Sequence, residues 1–173
     1  MRLEKTLLTV LLFLVIFGGS VPALADNDIL NIAVPTDPDS FDPTRSVAAA
    51  TAEIVLNIYA GFVKRTPDGH IPGDFDSHWA IASTQTVYPF YLREAYFHNG
   101  KRVTADDVVN ALNRARDPQI SQRASSYQAL AQVYAEGDDR VVIELSEPYA
   151  PLIYELTELA AAIYPRDAAG LDQ

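Results

Sequence analysis

VYPFYLREAYFHNGKRVTADDVVNALNRARDP, residues 87–118, reads as a strand, a tight turn and a capped helix in succession. Val87 to Arg93 is aromatic-rich and suits a strand, although Pro89 cannot donate to a ladder and points to an edge strand or a bulge. Tyr96 and Phe97 lead into His98-Asn99-Gly100, and Asn-Gly is a strong tight-turn pair. Thr104 can cap a helix that begins at Ala105. Asp106 and Asp107 suit the positive end of its dipole. Val108, Leu112 and Ala115 recur at helical spacing on one face, and Asp117-Pro118 ends the helix.

Toward the C-terminus, Ser125 to Gln132 reads as a short helix. Val133 to Glu136 and Arg140 to Leu145 flank the turn Gly137-Asp138-Asp139 as a hairpin. Tyr149 to Ala162 reads as a helix started near Pro148 or Pro151. Toward the N-terminus, Trp79 to Ser83 reads as a strand, and Pro67-Asp68-Gly69 is a turn. Ser46 to Ala60 reads as a helix with apolar faces from Ile54, Leu56, Ile58 and Tyr59, stopped by Gly61. Thr36 to Pro43 (TDPDSFDP) is a loop, and Ile29 to Val34 (ILNIAV) a short buried strand. Hairpins mixed with separate helices predict a mixed α/β to α+β fold.

The first 25 residues carry a different signal. Arg2 and Lys5 precede an uncharged apolar run from Leu7 to Phe17. Gly18-Gly19-Ser20 breaks the run, and Ala23-Leu24-Ala25 offers the small residues that a signal peptidase reads. This predicts a secretory signal peptide over 1–25, cleaved before Asp26. The run is shorter than the roughly 20 residues of a spanning helix. The chain has no cysteine, hence no lipid-bearing N-terminal cysteine and no disulfides. A freely diffusing exported protein of this kind suits a Gram-negative periplasm.

The whole chain has 13 Lys+Arg and 23 Asp+Glu; less Arg2, Lys5 and Glu4, the remainder has 11 against 22. So acidic a surface argues against nucleic acid and anionic lipid as partners. No Gly-rich phosphate loop, G-x-S-x-G elbow or cysteine nucleophile is present, and no spacing of Ser, His and Asp singles out a triad. An enzyme and a resident cofactor are therefore not expected. His70, His78 and His98 lie scattered on turns with no helical partner, so no metal is expected. The loop acids Asp37, Asp39 and Asp42 lack the spaced glycine of a calcium loop.

Eight short elements occur in an order that resembles one family. They include Ser40-Phe41-Asp42-Pro43, Tyr59-Ala60-Gly61-Phe62-Val63, Trp79, and Phe90-Tyr91-Leu92-Arg93. They continue with Phe97-His98-Asn99-Gly100, Thr104-Ala105-Asp106-Asp107-Val108, Arg116-Asp117-Pro118 and Leu145-Ser146-Glu147-Pro148. The chain resembles the family 5 extracellular solute-binding proteins, the dipeptide- and oligopeptide-binding components of ABC transporters. It departs from the pattern at Gly73 to His78, at Ser83-Thr84-Gln85-Thr86 in place of an Asp-Gly turn, and at Asn99 in place of Asp.

The resemblance implies an incomplete periplasmic-binding-protein type II fold, because the family is several times longer. Residues 26–43 are expected as the first strand and loop of lobe I, 44–154 as the small accessory domain, and 155–173 as a truncated return toward lobe I. A lobe without partner strands is expected to expose edges and apolar faces. The implied function is periplasmic capture of a peptide or similar small solute by a monomer, for delivery to an ABC permease in the inner membrane. The alternative is a truncated exported interaction or scaffold domain without solute binding.

The same resemblance places ligand contacts at Arg45, Ser46, Val47, Ala48 and Ala49, and at Gln122, Ala124, Ser125 and Tyr127. There Arg45 is placed to pair with a carboxylate, and Tyr127 to give an apolar wall with a polar tip. Each has a plainer reading, Arg45 as a surface charge and Tyr127 as a core or rim residue.

Overall fold

The computed structural model describes residues 30–71, the backbone of 76–79, residue 82 and residues 84–168. The signal-peptide segment expected over 1–25 lies outside the described residues, as do Ala80, Ile81 and Ser83 of the expected Trp79–Ser83 strand. The chain divides into two units, Met1–Ala33 and Val34–Gln173.

Of the first unit, residues 30–33 are described, and they are irregular. Leu30 is 81% and Ile32 73% exposed, so the apolar run that predicts a buried strand is not buried. A strand exists only through hydrogen bonds to a neighbour, and none of the described residues pairs with this stretch.

The second unit is built on a four-stranded antiparallel sheet ordered β2-β3-β5-β4. Its strands are β2 (Asp76–Trp79), β3 (Val87–Leu92), β4 (Leu130–Ala135) and β5 (Arg140–Leu145). β3 buries every second residue, Tyr88, Phe90 and Leu92, as the period of a strand requires. On the same core lie Val141, Ile143 and Leu145 of β5 and Leu130 and Val133 of β4.

Pro89 sits in an interior strand, paired with Val142, and not at an edge. The reason lies in the register. Leu145 N–H donates to Thr86 O (2.8 Å) and Leu92 N–H to Asp139 O (2.7 Å), so the even-numbered residues carry the ladder to β5. Pro89, at an odd position, faces the other way, and the ladder to β5 loses no donor.

Helix α2 (Ala105–Arg116) covers this sheet, following α1 (Ala49–Val55) in the chain. Ala105, Val108, Ala111, Leu112 and Ala115 are fully buried. Each large apolar side chain so buried contributes roughly 1.5–3 kcal/mol. The Asp107 carboxylate accepts both the Thr104 N–H (3.0 Å) and the Thr104 hydroxyl (2.8 Å), closing the helix start as a capping box. Its other oxygen accepts the N–H of Arg166 at 3.0 Å, so the same residue fastens the segment at Arg166 to the helix. The turn before α2 takes its expected form: Gly100 has φ +80°, and the Asn99 carboxamide oxygen accepts the Lys101 N–H at 3.0 Å.

Three expected helices are shorter. The segment expected as helix over Ser46–Ala60 is α-helical only in α1, because Asn57 turns its side chain back onto Glu53 O (2.6 Å) and the chain leaves through turns at 56–58. Ser125–Gln132 is a 3-10 turn at Ala124–Tyr127 followed directly by β4. Tyr149–Ala162 contains α3 (Leu152–Glu155), a 3-10 turn at Leu159–Ala161 and the strand β6 (Ala162–Ile163). The backbone there is drawn into pairing with β1 (Ala60–Gly61), Ala60 opposite Ile163 and Gly61 opposite Ala162. Tertiary pairing thus overrides local helical pattern at both places. The β1–β6 pair sets the incoming and outgoing chain side by side. Above it Phe62 packs on Phe90 with ring centroids 4.8 Å apart.

Candidate functional site

The loop ending in Asp42-Pro43 is held from inside. The Asp42 carboxylate is buried, with its Oδ1 accepting the Thr44 N–H (2.9 Å) and hydroxyl (2.7 Å). Its Oδ2 accepts Arg114 Nη2 from α2 at 2.8 Å. Asp39 is held by hydroxyls, those of Ser46 and Thr51, which keep its carboxyl below the ordinary aspartate value; the Thr51 bond is 2.6 Å. These acids are therefore engaged by the protein's own donors. Among the described residues no group of three or more His, Asp or Glu is arranged to hold a metal ion.

From this anchored loop the chain meets the segment that follows α2. Gln122 N–H donates to Thr44 O at 2.9 Å, and the Gln122 side chain donates to Arg45 O at 2.5 Å. The two stretches named from sequence are thereby joined at Arg45 and Gln122, 77 residues apart in the chain.

The individual residues divide by exposure. Arg45 is partly exposed and Val47 is 58% exposed; Ala48, Ala49, Gln122 and Ser125 are exposed. Ser46 is buried and uses its hydroxyl to accept the Ala48 N–H at 3.1 Å. Ala124 is at the edge of burial. Tyr127 is 1% exposed, and its hydroxyl donates to Glu155 O at 2.9 Å, so neither ring nor hydroxyl faces solvent. Burial raises its pKa above the ordinary tyrosine value.

Two features escaped the sequence reading. Arg114 closes on Asp42 from the far end of α2, a pairing that helical periodicity alone does not signal. A groove of about 520 Å³ is lined by Leu56, Ile58, Tyr59, Tyr96, Phe97 and Tyr164 among others. Leu56, Ile58 and Tyr96 are 43–59% exposed there, Leu56 and Ile58 being among the residues expected to give the first helix its apolar faces. Within it Tyr59 meets Tyr164 edge-on, centroids 6.2 Å apart.

Residues 71–172 match the family model of the bacterial extracellular solute-binding proteins, family 5 Middle. The chain belongs to this family. The chain is similar to the "Probable deoxycholate-binding periplasmic protein YgiS" of Escherichia coli K12, 28% identical over 122 residues, 68% of this chain and 23% of that protein. The "Probable D,D-dipeptide-binding periplasmic protein DdpA" of the same organism is 28% identical over 148 residues, covering 82% and 28%. The solved structure of MoaA from A. tumefaciens R10 in complex with mannopinic acid superposes with a TM-score of 0.71 at 30% identity, over 75% of this chain and 28% of that one. The fold is thus the type II periplasmic-binding-protein fold, present in part. The chain spans about a quarter of the length of the curated relatives it matches. Members of the family bind solutes rather than convert them.

Proposed function

We propose that this chain belongs to the periplasmic solute-capturing component of an ABC importer, which takes up peptides and hands them to an inner-membrane permease. The observation that carries this reading is the Gln122 clamp. It joins the partly exposed Arg45 to the exposed Gln122, with the exposed Val47, Ala48 and Ala49 following the one in the chain and the exposed Ser125 following the other. A solute lying on such a surface meets backbone, a guanidinium and an apolar side chain together, which is how a cleft fixes a peptide. The names of the two E. coli relatives, both periplasmic and one of them dipeptide-binding, support the compartment and the solute class. Residues 1–25 direct export and are removed before Asp26. The protein acts as a monomer, without turnover.

The rival reading is an exported interaction module that holds no solute itself. Disrupting the gene in the bacterium that makes it separates the two. Under the first reading growth on tripeptides as sole source of a required amino acid is lost while growth on the free amino acid is kept. Unimpaired growth on tripeptides supports the second.

A further inference from the structure

Arg116-Asp117-Pro118 does more than end helix α2. Arg116 is the last residue of that helix, and it is half-buried against the sheet below. Its Nη1 donates to successive carbonyls of β4, Leu130 O at 2.9 Å and Ala131 O at 3.0 Å. Pro118 cannot continue the helix, so the guanidinium stays at the point where α2 meets the strand.

β4 is an edge strand of the four-stranded sheet. Its register decides which backbone groups face outward. Glu136 N–H donates to Arg140 O at 2.8 Å, and Gln132 and Tyr134 lie opposite Glu144 and Val142. The even-numbered residues therefore serve the ladder to β5, while Ala131, Val133 and Ala135 point their N–H and C=O groups away from it. Such a row is a template for a further strand. At one end it runs into the turn at Gly137. At the other the Arg116 guanidinium sits on Ala131 O, where the register also shifts between Leu130 and Gln132. An incoming strand is left with Val133 to Ala135, against the roughly 5–6 residues of an ordinary strand.

We propose that Arg116 closes the β4 edge against strand addition, so that this sheet does not pair with a second copy of the chain. The β4 edge of another copy is the strand excluded, because an antiparallel β4–β4 pair sets identical outward rows together about a two-fold axis. Two bonds from a charged donor must break before any strand can use the Leu130 and Ala131 carbonyls, and bonds of that kind are the stronger class.

The test is sedimentation velocity of the full chain over a concentration series, with amide exchange followed at the lowest and highest concentrations. Arg116→Met keeps a long apolar stem and removes the donors. It is expected to self-associate roughly tenfold or more tightly than the parent, with exchange at the Val133 and Ala135 amides slowing as concentration rises. Adding Ala135→Pro removes an outward donor and leaves the ladder to β5 whole, so association is expected to return to the parent's level. An arginine that only fastened α2 to the sheet would lower the urea midpoint without that concentration-dependent protection. Should Arg116→Met not fold, Arg116→Lys makes the same comparison with a smaller increase, since it keeps the charge and loses the planar fork. Association no tighter than the parent's overturns the proposal. So does tighter association that leaves Val133 and Ala135 exchange unchanged or that survives Ala135→Pro.

Discussion

Arg114 Nη2 donates to Asp42 Oδ2 at 2.8 Å, joining the end of the first loop to helix α2 across 72 residues of sequence. Asp42 is buried with both carboxylate oxygens engaged, and the Arg114 side chain is 13% exposed. Removing Asp42 takes from Arg114 a charge partner that is itself buried, and losing one half of such a pair costs about 3–5 kcal/mol. Asp42→Ala is therefore expected to lower stability by about 3 kcal/mol or more in urea melts. Asp42→Ala together with Arg114→Met is expected to recover part of that loss. A double variant as unstable as the sum of its parts would show that the pair does not act as a unit.

Asp107 joins two ends of the fold in a similar way. Its carboxylate serves the Thr104 N–H, the Thr104 hydroxyl and the Arg166 N–H. Asp107→Ala strands these donors and is expected to cost about 2 kcal/mol. Amide exchange at Thr104 and Arg166 is the specific readout. Both amides should exchange faster in the variant, while Val141 and Ile143 in the sheet interior keep a protection reduced only by the global loss.

The turn between β2 and β3 holds Gln85 at φ +56°, the non-glycine residue in the left-handed region among the described residues. An L-residue there pays roughly 1 kcal/mol for the contact between its Cβ and the backbone. Gln85→Gly removes that contact and is expected to leave the fold more stable by up to about 1 kcal/mol, less the entropy that glycine adds to the unfolded chain. A midpoint in urea clearly below that of the parent would contradict this account of the turn.

Tyr164 is 2% exposed, its hydroxyl has no well-formed hydrogen bond, and burial pushes its pKa up to about 12, partly offset by the nearby Arg114. An unfolded tyrosine ionises near about 10. Between these values the unfolded chain binds fewer protons than the folded one, so stability falls as pH rises. The contribution is complete below pH of about 10 and is lost on passing through about 12. Tyr164→Phe is expected to flatten this alkaline decline and to change neutral-pH stability by under about 1 kcal/mol. An unchanged alkaline slope would contradict it.

The elements that sequence reading located are those whose local chemistry and tertiary role agree. Thr104 and Asp107 announce α2, Val108, Leu112 and Ala115 its buried face, and Gly137 the β4–β5 turn. Reading failed where a distant partner decides. Tyr149 to Ala162 is helical in pattern, yet Ala162 and Ile163 pair with β1 about a hundred residues away. Ile29 to Val34 has the composition of a strand, but residues 30–33 lack a paired neighbour among the described residues. Family-like motifs singled out the segments of Arg45 and Gln122, which the structure joins by a hydrogen bond. The Asp42–Arg114 bond was not legible, since Arg114 does not stand out from other helix cations by spacing. Tyr127 was readable as an aromatic near the site, but only packing shows its hydroxyl spent on Glu155 O.

Equilibrium dialysis of the purified chain against a defined mixture of alanine di- and tripeptides, with mass spectrometry of both chambers, bears most directly on solute capture. Peptides are expected to be retained with unchanged mass and released on dilution. Equal concentrations in both chambers up to millimolar protein, or the appearance of shortened peptides, would contradict a capturing, non-catalytic role.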